Sequence, residues 1–499
     1  MTEPAGLLRA DAVIVGGGLA GLWAVLHLPS DWDVLVVDKG NGTDVGSSPW
    51  AQGGMAVAVG PHDSPELHAN DTLRAGAGAC DLAAVNVLVH EASRALDELM
   101  AMGCVFDRAE DGSFDLNREG GQSIGRSVHA ADATGREIMR IVVQEAKKRA
   151  RRFVGTATRL LIDGNRCAGV RVSTQHGDVD ILGRGTILAV GGCGALYNAT
   201  TNPETATGDG LALAYEAGAA VADCEFVQFH PTALATGGLR RVLLTEALRG
   251  EGAIVVDRTG KRFLLDIHPD GELAPRDVVA RAIAATGEAY LDARPIGAEH
   301  VRRRFPNITA TVAEAGFDLA SDLVPIAPAA HYFLGGVSTD VWTRTTIAGL
   351  YAAGECATTG VHGANRMAGN SLTETVVFGR RAAQALVEDD MDEPPVVDVD
   401  EGAEPAVRNV LGNAWDGLRT AMSSGAGLLR TRESLEKALG VADEVASKST
   451  GTVRAAATAA GLICRSAIQR DESRGVHFRT DAPEPRDGDW SGRHVTLAR

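Results

Sequence analysis

The stretch that most constrains this chain lies near its start. Residues 11–21, "DAVIVGGGLAG", run a short β-branched strand straight into Gly16-x-Gly18-x-x-Gly21. A helical pattern, "LAGLWAVLHL", follows, and then a second apolar strand, "DVLVVDKG", ending in Asp38 and Lys39. Strand, glycine turn, helix and strand, with an acid about 20 residues after the glycines, is the order of a dinucleotide-binding βαβ unit. The glycines let main chain approach a pyrophosphate, and the helix start offers unpaired N–H groups and partial positive charge. The fingerprint alone does not separate FAD from NAD.

Three later segments lean towards a flavin. "GTILAVGGCGALY" (185–197) is a buried strand ending in glycines, and the helix start after it places Asp209 between two glycines. "IAGLYAAGECA" (347–357) is another apolar strand, ending at Gly354 and Glu355. It leads through "HGANRMAGNS" into a helix that Asn370 or Ser371 is expected to cap. A chain of 499 residues exceeds one ordinary core. The dinucleotide-binding domain is therefore read as residues 1–224 and 335–390, interrupted by a more polar insert, 225–334. An acidic, proline-containing linker (391–405) and a largely helical region (406–499) complete the chain.

Several classes are disfavoured. No stretch approaches the roughly 20 apolar residues of a membrane helix. The N-terminus lacks a basic head before a long apolar run, so a cytoplasmic protein is expected. The seven cysteines (Cys80, Cys104, Cys167, Cys193, Cys224, Cys356, Cys464) form no C-x-x-C pair, so no disulfide framework or metal site is expected. A net charge of −17 argues against nucleic acid as main partner. It leaves room for a locally basic pocket and an anionic small substrate. Arg366, set among glycines, alanines and asparagines, is the first candidate for one. An arginine binds a carboxylate through two parallel hydrogen bonds, although pairing with a structural acid is its plainer role.

"WAQGG", "REGG", "HAADATGRE", "TNPETATGDG", "FHPTAL", "LLTEALRGEG", "APRDVVARAI", "PAAHY", "GECATTGVHGANRMAGNSL" and "SRGVHF" follow the glycine turn in one order across nearly the whole chain. In this the sequence resembles the succinate dehydrogenase/fumarate reductase flavoprotein superfamily, and within it most closely the L-aspartate oxidases. The resemblance implies an α/β FAD-binding (Rossmann-like) domain with an inserted, mobile α+β capping domain and a C-terminal helical bundle. It implies FAD along Gly16, Gly17, Gly18, Leu19, Ala20 and Gly21, with Lys39 on the ribose side. The flavin loop would be Ser47, Ser48, Pro49, Trp50, Ala51, Gln52, Gly53 and Gly54, and Asp209, Glu355, Ser371 and Leu372 would complete the site. Respiratory members attach FAD through a histidine at the position of Ser47, so non-covalent FAD is implied here.

For the substrate, the resemblance implies that Arg366 clamps one carboxylate with His331, while His230, Thr245 and Glu246 hold the other. Arg276 would stand over the substrate carbon, with Glu246 and Arg249 as a proton relay, and Glu119 would orient the amine. The implied reaction oxidises L-aspartate to iminoaspartate with O2 or fumarate as acceptor, in NAD biosynthesis, with a link to quinolinate synthase. The alternative is a flavoprotein subunit of fumarate reductase or succinate dehydrogenase. Singly, each residue has a plainer role: core histidines at His230 and His331, a helix cap at Thr245, a surface acid at Glu119. His129 and Arg126, in the adjoining motif, carry no assigned role.

Overall fold

The strand Ala12–Val15 reads AVIV, and all four residues are buried, as a strand covered by helices or sheets on both faces requires. In the computed structural model, which describes residues 6–40, 46–394, 397 and 412–499, it lies at the centre of a five-stranded sheet. The order is Leu350–Ala352, Gly185–Leu188, Ala12–Val15, Val34–Asp38, Ala150–Val154, and every pair is parallel. Alternation divides the side chains. Ala12, Ile14, Val34 and Val36 face the helices Leu19–His27 and Asn370–Glu388, while Val13, Val15, Leu35 and Val37 face a second sheet and the helix Asp209–Glu216. Sequence order reverses on either side of Ala12–Val15, and a ligand crevice opens at the carboxyl ends of strands at such a point.

Two glycines of the first turn have steric reasons. Gly16 sits at φ +114°, and a Cβ there would lie 2.2 Å from the Ala189 carbonyl oxygen. At Gly21 a Cβ would lie 2.1 Å from the Gly16 carbonyl oxygen, so this glycine serves helix–strand packing.

The insert forms an antiparallel sheet in the order Val227–Leu234, Leu323–Phe333, Ala289–Asp292, Ile254–Asp257. Its own core runs from Leu234 to Ile326 and takes in Leu248, Ile283, Phe305 and Val312. The helices Asn413–Gly425, Arg432–Lys448 and Gly451–Gln469 share another core with Tyr197, Phe229 and Phe333. The alanines of Gly451–Gln469 let its neighbours approach closely. Of the acidic linker expected at 391–405, residues 395, 396 and 398–405 lie outside the described residues. The helix after "HGANRMAGNS" starts one residue earlier than expected. Its N-cap is Gly369, at φ +83° with no side-chain cap, and Asn370 is the first helical residue.

Gly21→Ala should push the first helix off its strand. A loss of about 1–3 kcal/mol is expected for such overpacking, read as a lower thermal midpoint together with weaker dinucleotide retention. A midpoint equal to wild type would remove the packing argument.

Candidate active site

The carboxyl ends of the parallel strands lead into one cavity of about 480 Å³. Gly16–Ala20, Lys39, Ser47–Gly54, Asp209, Glu355, Ser371 and Leu372 line it, as do Glu119, His230, Thr245, Glu246, Arg276, His331 and Arg366. Thus all but two of the sequence candidates meet. Gly21 is packing, as above, and Arg249 lies behind Glu246.

Three helices point their starts at this space: Leu19–His27, Asp209–Glu216 and Asn370–Glu388, each with a glycine N-cap and no side-chain cap. Uncapped helix starts of this kind hold anionic groups. Ser48, in the segment Ser47–Gly54, accepts from the Leu19 N–H at 3.1 Å, which ties that loop to the glycine turn. Lys39 pairs with Asp209 at 2.5 Å, and Glu355 accepts from the Phe333 N–H at 2.9 Å. Burial raises the Glu355 carboxyl to about 7. The Gln52 Oε1 atom is buried with no hydrogen-bond partner, an acceptor that a bound group would satisfy.

The other half of the cavity is built by charge. Glu246 opens the short helix Glu246–Gly250, with Thr245 as its cap. Its Oε1 accepts from Arg249 Nη2 at 3.0 Å and its Oε2 from Arg276 Nε at 2.6 Å. Burial alone would raise the Glu246 carboxyl, but Arg276 and Arg249 bring it below its usual range. Both oxygens being committed to arginines, Glu246 is an anion that would repel a carboxylate, so the expectation that it holds one directly is corrected. Its place is behind Arg276.

Arg366 is 4% exposed. It donates to Ser371 Oγ at 2.6 Å and to Gln228 Oε1 at 3.2 and 3.3 Å, and its guanidinium lies 4.2 Å from the Tyr332 ring centroid. Among the described residues no carboxylate stands within ion-pair distance of it. Burial, then Arg276, lowers its pKa to about 10, so it stays charged at neutral pH. His230 and His331 stand side by side, ring centroids 5.0 Å apart. Burial, then the nearby arginines, pushes both well below the usual histidine range. The Thr232 N–H donates to His230 Nδ1 at 3.3 Å, leaving the His230 proton on Nε2, and His331 Nδ1 meets Thr201 Oγ1 at 2.7 Å. Glu119 is 2% exposed, and its carboxylate accepts from the Gly54 N–H at 3.2 Å. Burial, then Glu246, raises its pKa.

Gln228 was missed. Its amide oxygen accepts from both Arg276 (3.0 Å) and Arg366, and its amide nitrogen donates to Asn365 Oδ1 and the Arg366 carbonyl, both at 2.9 Å. The signal was available, because two residues before His230 on a strand is the same face. The insert is tied across the cavity as well. Asp132 accepts from Asn307 Nδ2 (2.6 Å) and the Ile308 N–H (2.7 Å), capping the helix Pro306–Glu314, and Arg240 stacks 3.7 Å over Trp50.

Residues 11–372 match the FAD binding domain family, and residues 447–499 match the fumarate reductase flavoprotein C-terminal family. The chain is similar to the L-aspartate oxidase of Caulobacter vibrioides (44% identity, 94% of this chain and 93% of that one) and to that of a Synechocystis species (38%, 98% and 97%). Among solved structures it is similar to a point mutant of the E. coli quinol fumarate reductase FrdA, with a TM-score of 0.87 and 30% identity over 99% of this chain and 96% of that one. Mycobacterium smegmatis Sdh1 in complex with UQ1 gives 0.82 and 31%, over 99% and 94%.

Glu246→Gln would leave two buried arginines without their anion, at a cost of about 3–5 kcal/mol. A depressed carboxyl stabilises the fold above the ordinary carboxylate range and stops doing so as pH falls through its folded value. The gap in thermal midpoint between wild type and Glu246→Gln should therefore be widest at neutral pH and narrow in acid. A gap that grows on acidification would refute the pairing.

Proposed function

The chain belongs to the L-aspartate oxidase family, and from that premise we propose that the carboxyl ends of its parallel strands hold FAD while Arg366 and the insert hold L-aspartate. The reaction is FAD-dependent oxidation of L-aspartate to iminoaspartate, with O2 (giving hydrogen peroxide) or fumarate (giving succinate) as acceptor, the first step of NAD biosynthesis through quinolinate.

Charge carries the reading. Arg249, Arg276 and Arg366 share a single carboxylate, Glu246, within ion-pair distance of the first two. By themselves these four buried side chains set three cations against one anion; Glu119 and Glu355 in the same cavity offset part of that excess, and a carboxylate-bearing ligand answers the rest. Glu119, which accepts from the Gly54 N–H and has Glu246 and Arg276 close by, is a further carboxylate in the cavity, and the ammonium of an amino dicarboxylate answers it. Succinate would answer only the first half.

The cofactor residues fit FAD chemically. The glycine turn with its uncapped helix suits the pyrophosphate, and Lys39 with Asp209 the ribose side. Gln52 offers an unsatisfied acceptor in the flavin loop. Ser371 and Leu372, at an uncapped helix start, favour negative charge on a reduced ring. Ser47, in place of a histidine, leaves the cofactor dissociable. The chemistry FAD supplies when bound is acceptance of a hydride from the substrate Cα.

The protein positions that carbon. Arg366, assisted by His331, fixes one carboxylate, and His230 Nε2–H and Thr245 Oγ fix the other, which sets the Cα–H direction. An ammonium nitrogen must lose a proton before its carbon gives up a hydride. Glu119 is suited to receive that proton, since burial makes its carboxylate a stronger base. Arg276, tied to Glu246 and through it to Arg249, donates a proton to the carbon when fumarate is reduced. The reading extends to a cytoplasmic enzyme whose product passes to quinolinate synthase. A respiratory flavoprotein subunit would share the clamp but have no use for Glu119 facing an amine. No helix among the described residues is long and apolar enough to cross a membrane.

Anaerobic L-aspartate should bleach the bound flavin, and air or fumarate should restore it. In Arg366→Leu, with FAD still bound, the bleaching rate at limiting aspartate should fall by roughly three orders of magnitude, as expected on removing one side of a buried charge contact. Wild-type bleaching in that variant would remove the clamp. The raised Glu119 carboxyl predicts that aspartate oxidation declines as pH falls through its pKa, because the protonated acid no longer answers the ammonium. Glu119→Gln should abolish that limb and impair aspartate oxidation far more than fumarate reduction. Equal losses would take the amine away from Glu119.

A further inference from the structure

Glu119 sits on a hairpin tip between Leu116–Asn117 and Ser127–Val128. Such a tip would wander unless something outside it fixed it. Besides the Gln122 Nε2 hydrogen bond to the Ala368 carbonyl at 3.3 Å and the Gly54 N–H on Glu119, its charged anchor is Asp71, on the helix Pro65–Ala75. Its Oδ2 accepts from the Ser123 N–H and Oγ–H, both at 2.7 Å, and lies 3.0 Å from Arg126 Nη2. Its Oδ1 accepts from Arg74 Nη2 at 2.5 Å, and the same nitrogen reaches the Gly121 carbonyl at 2.9 Å. Arg126 is fully buried and also pairs with Asp63 at 3.1 Å.

Inside the tip, the Glu119 N–H donates to Gln122 Oε1 at 3.0 Å, and Gln122 Nε2 donates to Ser127 Oγ at 2.9 Å. The hairpin is therefore stiff within itself, and Asp71 sets where it stands. One turn away on the same helix, His68 and Thr72 hold Asn370, at 2.8 and 3.0 Å. Asn370 opens the helix that follows Arg366. This helix, beside the direct Gln122–Ala368 contact, thus helps space the Glu119 tip against the Arg366 segment.

We propose that Asp71 is a positioning residue for amine recognition: it holds Glu119 at the place where the substrate ammonium must sit, and so sets the preference for an amino dicarboxylate over a plain one. This rests on the assignment of Glu119 to the amine. It also gives Arg126 a part, as the buried cation that keeps Asp71 aimed.

The test compares the KM for L-aspartate oxidation with that for fumarate reduction, in the FAD-loaded enzyme. Asp71→Asn should raise the aspartate KM about tenfold or more, since charge-assisted contacts to the tip are lost. Ser123→Ala, a milder change that keeps the buried Asp71–Arg126 pair, should raise it roughly three- to tenfold, the range of one hydrogen bond. Fumarate KM and kcat should stay near wild type in both. Damage of a general structural kind would move both substrates together, and that result overturns the proposal. If Asp71→Asn fails to fold, Ser123→Ala decides. Glu119→Gln run in parallel separates the two claims. An aspartate-selective loss there, without one in Ser123→Ala or Asp71→Asn, overturns the role of Asp71 alone. No selective loss in Glu119→Gln overturns the amine assignment and, with it, this inference.

Discussion

Three arginines buried around one glutamate are the constraint on which the rest of this structure turns. Burying unpaired charge is expensive, and a protein accepts it only where a ligand or a pKa shift relieves it. Here the side chains stay charged: Arg366 remains a cation even at a pKa lowered to about 10. Relief must then come from outside the chain. The Ser371 hydroxyl oxygen, a tyrosine face and the Gln228 amide oxygen soften the charge on Arg366 without neutralising it. They also lock its orientation, so a carboxylate brought to the guanidinium would leave little to order.

That constraint explains why the two halves of the cavity belong to different parts of the fold. Arg366 comes from the segment after the last parallel strand, whereas Glu246, Arg249 and Arg276 come from the insert. Gln228, on the insert's sheet, touches Arg276 and Arg366 at once, and Asn365 reaches Asp277 at 3.0 Å. Like charges gathered this way favour opening of the insert until an anion arrives. Asp132 at the start of Pro306–Glu314 and Arg240 over Trp50 work in the opposite sense, holding the insert down. On the proposed reading a dicarboxylate would add the missing term to the closed side of that balance, which would couple substrate binding to exclusion of water.

The parallel sheet was legible because its causes are local: β-branched strands, glycines where main chain must pass, and apolar runs with no polar face. The motifs around the clamp were legible only through their resemblance to a family, because long-range charge pairing leaves no periodic trace. Thr245 shows the difficulty. Its plain role as a helix cap is real, and its second role, lining the cavity, depends on a fold that sequence spacing does not reveal. Gln228, an amide between two apolar residues, reads as an ordinary strand residue unless the strand's face is followed two residues on to His230. The cap of Asn370–Glu388 was misplaced for a related reason. Asn370 looks like an N-cap, but its side chain is spent on His68 and Thr72, and the left-handed turn falls to Gly369.

The glycines of "REGG" and "LRGEG" carry the last step. A Cβ at Gly120 would lie 2.2 Å from Glu246 Oε1, and one at Gly250 would lie 2.2 Å from the Arg118 carbonyl oxygen. The two motifs, far apart in sequence, are bare because their backbones cross. That crossing brings Glu119 close enough to Glu246 to be raised by it, while Arg276 pulls Glu246 the other way. Two neighbouring carboxyls are thereby driven apart in pKa: Glu246 is held below its usual range behind Arg276, and Glu119, raised, is the readier of the two to take a proton. An acid and a base standing on the same side of a substrate need such a division. Here it depends on two missing side chains, and any residue with a Cβ at Gly120 or Gly250 would undo it by pushing the loops apart.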